Sequence, residues 1–223
     1  MYLIKGKEIK MKEKKVFMHT CCAPCSVYCI DLLRKEGIEP VIYWYNPNIH
    51  PYTEYRKRKE TLENYAKSIN VETIIDDDYG VIEFTNNVIK KSNIIDRCSK
   101  VCYEMRLEKT AKEAAKRGYK NFTTTLLVSP YQNTEKLIEI GKEKAKKYGI
   151  EFLVRDFKSG FKEGQEKAKS LGLYMQNYCG CIYSEAERYN KFKIKKVNIG
   201  KMQRKDNVSY EEVKKKVIDL LKE

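Results

Sequence analysis

Cysteine is the residue type with most chemistry to offer in this chain. Seven of its eight thiols fall in three tight groups: Cys21, Cys22 and Cys25; Cys98 and Cys102; Cys179 and Cys181. Thiolate sulfur is the ligand of zinc, iron–sulfur clusters and copper(I). Seven thiols exceed the four of one tetrahedral site. The surplus implies a cluster with a second metal, or a cluster with a redox pair. Cys98 and Cys102 are four apart and would project from one face of a helix. Gly180, between Cys179 and Cys181, lets a tight loop present two sulfurs to one site. Cys21 and Cys22 point apart in an extended chain, so they reach one metal only through a turned loop. Cys29 falls inside the helix that follows and reads as a core residue. His19, at a strand end, reads as structural, with a supporting place beside the metal as the alternative.

Alternating elements must position these groups. Strands are expected over residues 15–20, 40–46, 71–75, 121–128 and 150–155. Helices are expected over 26–35, 54–70 and 134–148, with a helical stretch over 81–117 broken at 92–96. Gly37, Gly118 and Gly149 are stop signals. Strand–helix alternation predicts an α/β fold: a parallel Rossmann-like sheet flanked by helices, with a helical insertion in the middle. Ligands of such sheets bind at the carboxyl ends of the strands, first of all in the loop after the first one. That loop is Cys21-Cys22-Ala23-Pro24-Cys25. ATP-dependent tRNA-modifying enzymes would carry Ser-Gly-Gly-x-Asp-Ser there, so the position that grips ATP in them is expected to grip metal here.

The tail has a different character. Lys191, Lys193, Lys195, Lys196, Lys201, Arg204 and Lys205 follow one another with no acid before Asp206. Ser209 and Glu212 then form a capping box, and Val213, Val217, Leu220 and Leu221 make one apolar stripe. The expected division is a catalytic metal-binding domain over 1–190 and a basic segment with a C-terminal helix over 191–223. The basic segment reads either as a solvated linker or as a nucleic-acid arm.

Composition narrows the setting. The 223-residue chain is 42% hydrophobic and 34% charged, enough for one real core beneath a heavily charged surface. Its net charge of +14 favours a polyanionic partner. Lys5, Lys7, Glu8, Lys10 and Lys12 interrupt the N-terminus and leave no apolar signal core. No run approaches the roughly 18 apolar residues of a membrane span. A cytoplasmic protein with no membrane partner is expected, which argues against a secreted disulfide scaffold.

The cysteine-bearing stretches resemble the epoxyqueuosine reductase QueH family. The matching stretches are His19-Thr20-Cys21-Cys22-Ala23-Pro24-Cys25, Asn46-Pro47-Asn48-Ile49-His50-Pro51 with Glu54, Tyr55 and Arg58, Arg97-Cys98 through Cys102-Tyr103 to Arg106-Leu107, Thr123 to Tyr131, and Tyr178-Cys179-Gly180-Cys181 with Tyr183 and Ser184. The tail after Lys191 lies outside this match. The resemblance implies an oxidoreductase that converts epoxyqueuosine to queuosine at the wobble nucleotide of tRNA, with an unidentified electron donor. It also implies a nucleotide-hydrolase-like sheet, a [4Fe–4S] cluster and a second, mononuclear iron. On that footing Cys22, Cys25, Cys98 and Cys102 are expected to hold the cluster. Cys21, Cys179 and Cys181 are expected to hold the second iron and act in catalysis. Arg58, Arg97, Arg106, Thr124, Tyr131 and Tyr183 are expected to touch substrate, the arginines by clamping phosphates. Competing readings are a cluster-dependent tRNA thiolation enzyme, a zinc-stapled RNA-binding module, and a dithiol oxidoreductase built on Cys22-Ala-Pro-Cys25.

Overall fold

The structure, a computed structural model, describes residues 15–92 and 96–190. Its centre is a five-stranded, all-parallel sheet in the order β3-β2-β1-β4-β5. The strands are β1 (Lys15–His19), β2 (Glu39–Trp44), β3 (Thr73–Ile75), β4 (Asn121–Thr124) and β5 (Glu151–Phe152). The helices are α1 (Ala23–Lys35), α2 (Tyr52–Ser68), α3 (Val81–Lys91), α4 (Tyr103–Lys116), α5 (Thr134–Tyr148), α6 (Phe161–Ser170) and α7 (Ile182–Tyr189). β1 lies in the middle, bonded to β2 on one side and β4 on the other. The order therefore reverses between β1 and β4, and the crevice beyond their carboxyl ends is where such sheets take ligands.

The central strands are buried on both faces, so they read as apolar runs rather than alternating ones. Val16, Phe17 and Met18 of β1 are fully buried, as are Val41, Ile42 and Trp44 of β2. Phe17 packs against the rings of Tyr43 and Tyr119 at 4.9 and 5.0 Å. The parallel Rossmann-like sheet flanked by helices is thus as expected.

Several element boundaries differ from the sequence expectation; β5 ends at Phe152 and not at 155, β3 begins at Thr73 and not at 71, and α1 begins at Ala23 and not at 26. The strand expected over 121–128 stops at Thr124, and Thr125–Val128 form a 3-10 turn. Thr124 causes the stop: its hydroxyl accepts the Leu126 N–H at 3.1 Å and draws the chain out of the ladder. Leu126, Leu127 and Val128 stay buried, so their apolar run reports burial and not strand. The helical stretch over 81–117 divides into α3, a π-helical turn at Cys98–Cys102, and α4. The 3-10 turn Lys158–Gly160 and α6 occupy a stretch for which no helix was expected.

Two glycines of this stretch, Gly160 and Gly164, serve packing. A Cβ on Gly160 would come within 2.0 Å of the Tyr28 ring, and one on Gly164 within 2.9 Å of the Tyr28 Cβ. They let α6 lie directly on α1. Gly160→Ala is therefore expected to destabilise the fold by about 1–3 kcal/mol, read from denaturant unfolding. An unchanged midpoint would show that the Tyr28 ring can move aside.

Among the described residues no helix is long and apolar enough to cross a membrane. The described residues through Ala186 form one compact unit. The expected basic segment and C-terminal helix, over 191–223, lie outside the described residues.

Candidate metal centre

The loop after β1 turns at once into α1, and this turn gathers the first three thiols. Cys22 is the N-cap of α1, with Pro24 inside the first turn and Cys25 beside it. The Sγ atoms of Cys21, Cys22 and Cys25 all lie within 4.8 Å of one another. Cys21 and Cys22 sulfurs are 3.8 Å apart, so the turned loop required by the sequence is present. Cys22 and Cys25 are buried, and Cys21 is half-buried.

The loop after β4 closes on the same point. Cys21 N–H donates to Thr125 Oγ1 at 3.2 Å, and that hydroxyl donates to Cys21 Sγ at 3.5 Å. Gln176, before the last cysteine pair, donates from Nε2 to the Cys22 and Cys25 sulfurs at 3.0 and 3.7 Å. Gln132 donates to Cys179 Sγ at 3.6 Å, while its Oε1 accepts from Tyr103 at 2.9 Å. Sequence reasoning missed Thr125's contact with Cys21, and it missed Gln132 and Gln176 altogether. Their one signal was position, inside or near the stretches that resemble the QueH family.

Hydrogen bonds from Cys22 and Cys25 push the Cys21 thiol well below its ordinary pKa. Burial, then Cys21, pushes Cys22 up; its two thiol neighbours, then burial, push Cys25 up. Three sulfurs this close do not all ionise until a cation sits among them. Cys98, raised by burial to about 11, feels the charges of Cys179 and Cys181. Cys179 in turn feels Cys181 and Cys21. All three cysteine groups thus lie within electrostatic reach of one another, and among the described residues Cys21, Cys22 and Cys25 form the close sulfur group. Cys21 lies with Cys22 and Cys25, whereas the expected partition assigns it to the second iron and them to the cluster.

A latch holds the last cysteine pair in place. Arg58, on α2, donates from Nη1 to the Cys179 carbonyl at 2.9 Å and from Nη2 to the Tyr178 carbonyl at 3.0 Å. Its Nε donates to Glu54 Oε1 at 2.6 Å, and Tyr174 donates to Glu54 Oε2 at 2.7 Å. His50 N–H donates to the Gly180 carbonyl at 2.8 Å. Gly180 sits at φ +142°, and a Cβ there would meet Arg58 Nη1 and Ile49 Cγ1 at 3.2 Å. Gly180→Ala is expected to cost about 1–3 kcal/mol of stability and to lower metal per chain. Melting and metal analysis test it; two unchanged values would show that the loop tolerates the strain.

The expected substrate contacts divide by exposure. Arg58 and Arg106 are each only 2% exposed, and both guanidinium groups are turned into the protein. Thr124 is fully buried, with its hydroxyl 2.8 Å from His19 Nδ1. His19 Nε2 faces the Tyr45 carbonyl at 3.3 Å. Burial, then the Arg106 charge, pushes the His19 pKa down to about 3, so the ring is neutral, with both nitrogens engaged inside the fold. Arg97 is buried with its guanidinium over the half-buried Tyr183 ring at 5.6 Å. Tyr131 is 85% exposed, its ring edge-on to Phe161. Tyr131 and Tyr183 are the members of this set that solvent reaches.

The donor set is soft and almost wholly sulfur, which fits zinc, copper(I) or iron–sulfur and disfavours the hard cations calcium and magnesium. A family model described as epoxyqueuosine reductase QueH matches residues 16–187. The chain belongs to this family. A QueH relative from Dehalococcoides mccartyi is 36% identical over 177 residues, spanning 79% of this chain and 96% of the relative. One from Thermotoga maritima is 39% identical over 191 residues, spanning 79% and 93%. The QueH match spans all three cysteine groups and stops short of the basic tail. A solved structure of NMN synthetase from Francisella tularensis covers 77% of this chain at a TM-score of 0.39 and 8% identity, too slight a likeness to bear on function.

Proposed function

We propose that this chain is an oxidoreductase that reduces epoxyqueuosine to queuosine in tRNA. The carrying observation is the convergence of the QueH cysteine stretches at the switch point of the sheet. The reaction removes one oxygen: the epoxide, two electrons and two protons give the cyclopentene and water. An iron–sulfur cluster with a second iron would supply single electrons and a Lewis-acidic position for oxygen. Cys21, Cys22, Cys25, Cys98, Cys102, Cys179 and Cys181 are the residues that would hold these metals. The electrons come from an external donor.

The other residues have separate tasks. Gln176 and Gln132 orient sulfurs through N–H donors. Arg58 keeps the Cys179 strand of the site against α2. Exposed Tyr131 and half-buried Tyr183 offer aromatic faces on which a base turned out of the anticodon loop can stack. The net charge of +14 suits the phosphates that accompany it. A tRNA substrate places the activity in the cytoplasm.

The test is metal content and visible absorbance of anaerobically purified protein, followed by an assay on epoxyqueuosine-bearing tRNA. Brown protein with about four to five irons that bleaches on reduction and converts the tRNA without ATP supports the reading. Colourless protein with zinc and no iron overturns it in favour of a zinc-stapled RNA-binding module.

A further inference from the structure

Two arginines are buried beside the thiols, and they differ in one respect. Arg58 has its carboxylate, Glu54. Arg106 has none: among the described residues no acid pairs with it. Arg106 is 2% exposed, on the first turn of α4. Its Nη2 donates to Cys102 Sγ at 2.9 Å and its Nε to the Cys102 carbonyl at 3.3 Å. Cys179 and Cys21 also lie within its electrostatic reach. A guanidinium keeps its charge at any working pH. A buried charge requires a compensating one, and here the nearest groups that can supply it are the sulfur of Cys102, which the guanidinium touches, and those of Cys179 and Cys21. Phosphate does not: a group this buried does not meet an RNA backbone.

We propose that Arg106 is the fixed counter-charge of the thiol-held metal group and shifts its reduction potential upward. The proposal rests on the iron–sulfur reading above. Metal–thiolate groups carry net negative charge, and reduction adds one more. A permanent cation in a low-dielectric site stabilises the reduced form more than the oxidised one. The sulfur hydrogen bond from Nη2 acts in the same direction. Arg106 is accordingly a positioning and tuning residue, not a phosphate clamp.

The experiment is redox titration of anaerobically reconstituted wild type, Arg106→Lys, Arg106→Gln and Arg106→Met, followed by visible absorbance, with iron per chain and thermal melting measured in parallel. The neutral variants are expected to load iron and to show a more negative midpoint potential, with Arg106→Lys closer to wild type. Should neither neutral variant load iron while Arg106→Lys does, the counter-charge is again supported. Neutral variants that load iron at the wild-type potential overturn the proposal. So does an equal shift, or an equal failure to load, in the lysine variant, because guanidinium shape and not charge would then be what matters. Zinc without iron in the wild type would overturn the iron–sulfur reading instead, so the two failures are distinguishable.

Discussion

Serine at Cys98 or at Cys102 is expected to remove the visible absorbance of the metal group and to lower turnover by more than about 100-fold. Even residues one layer outside a metal cost about 10–100-fold when changed, and these two are proposed as ligands. They lie four apart on one π-helical turn, and Cys98 feels the charges of Cys179 and Cys181. The hydroxyl of serine is a harder donor than a thiolate and a poor ligand for iron–sulfur. Cys29→Ala is the matched control. Its thiol is fully buried and donates to the Cys25 carbonyl at 3.3 Å, outside the close sulfur group of Cys21, Cys22 and Cys25. That variant is expected to keep its iron. Absorbance unchanged in Cys98→Ser or Cys102→Ser would remove that residue from the ligand set.

Methionine at Arg58 is expected to cost about 3–5 kcal/mol of stability, because it leaves the largely buried Glu54 carboxylate with the Tyr174 hydroxyl but without its cation. Arg58 and Glu54 side chains are 2% and 11% exposed, so solvent screens the pair little. The same change strips donors from the Tyr178 and Cys179 carbonyls and frees the loop that carries two thiols. Metal content is expected to fall with stability. The double variant Glu54→Leu/Arg58→Met is expected to recover part of the loss, since it removes the orphaned charge. A loss under about 1 kcal/mol in Arg58→Met would mean that water relieves both groups, and the latch would not be what holds the loop.

Much of the fold was legible because the strands obey a simple rule. β1 and β2 read as apolar runs, since a parallel sheet with helices on both faces buries both sides of its centre. The helix expected over 134–148 is found at Thr134–Tyr148, because Asn133 caps it through its side chain and Gly149 ends it at φ +66°. Where boundaries moved, a tertiary or side-chain bond intervened. Thr124 ended β4 by capping a turn, a choice that competes closely with the ladder for any threonine. No helix was expected where α6 stands, and the room that Gly160 and Gly164 make for Tyr28 shows only once α6 lies on α1.

The sequence by itself determined the chemistry on offer: three thiol groups, a basic balance, and a parallel α/β frame with cysteine where a phosphate loop could stand. Residue types and local periodicity carry that information, because ligand softness and burial are properties of single side chains and their near neighbours. Only the tertiary structure decided how the groups combine. It put Cys21 with Cys22 and Cys25, turned Arg58 and Arg106 inward, and brought Gln176 onto sulfurs more than 150 positions earlier. Those outcomes depend on which loops meet where the strand order reverses. That meeting is set by sheet order and helix packing, which no local spacing encodes.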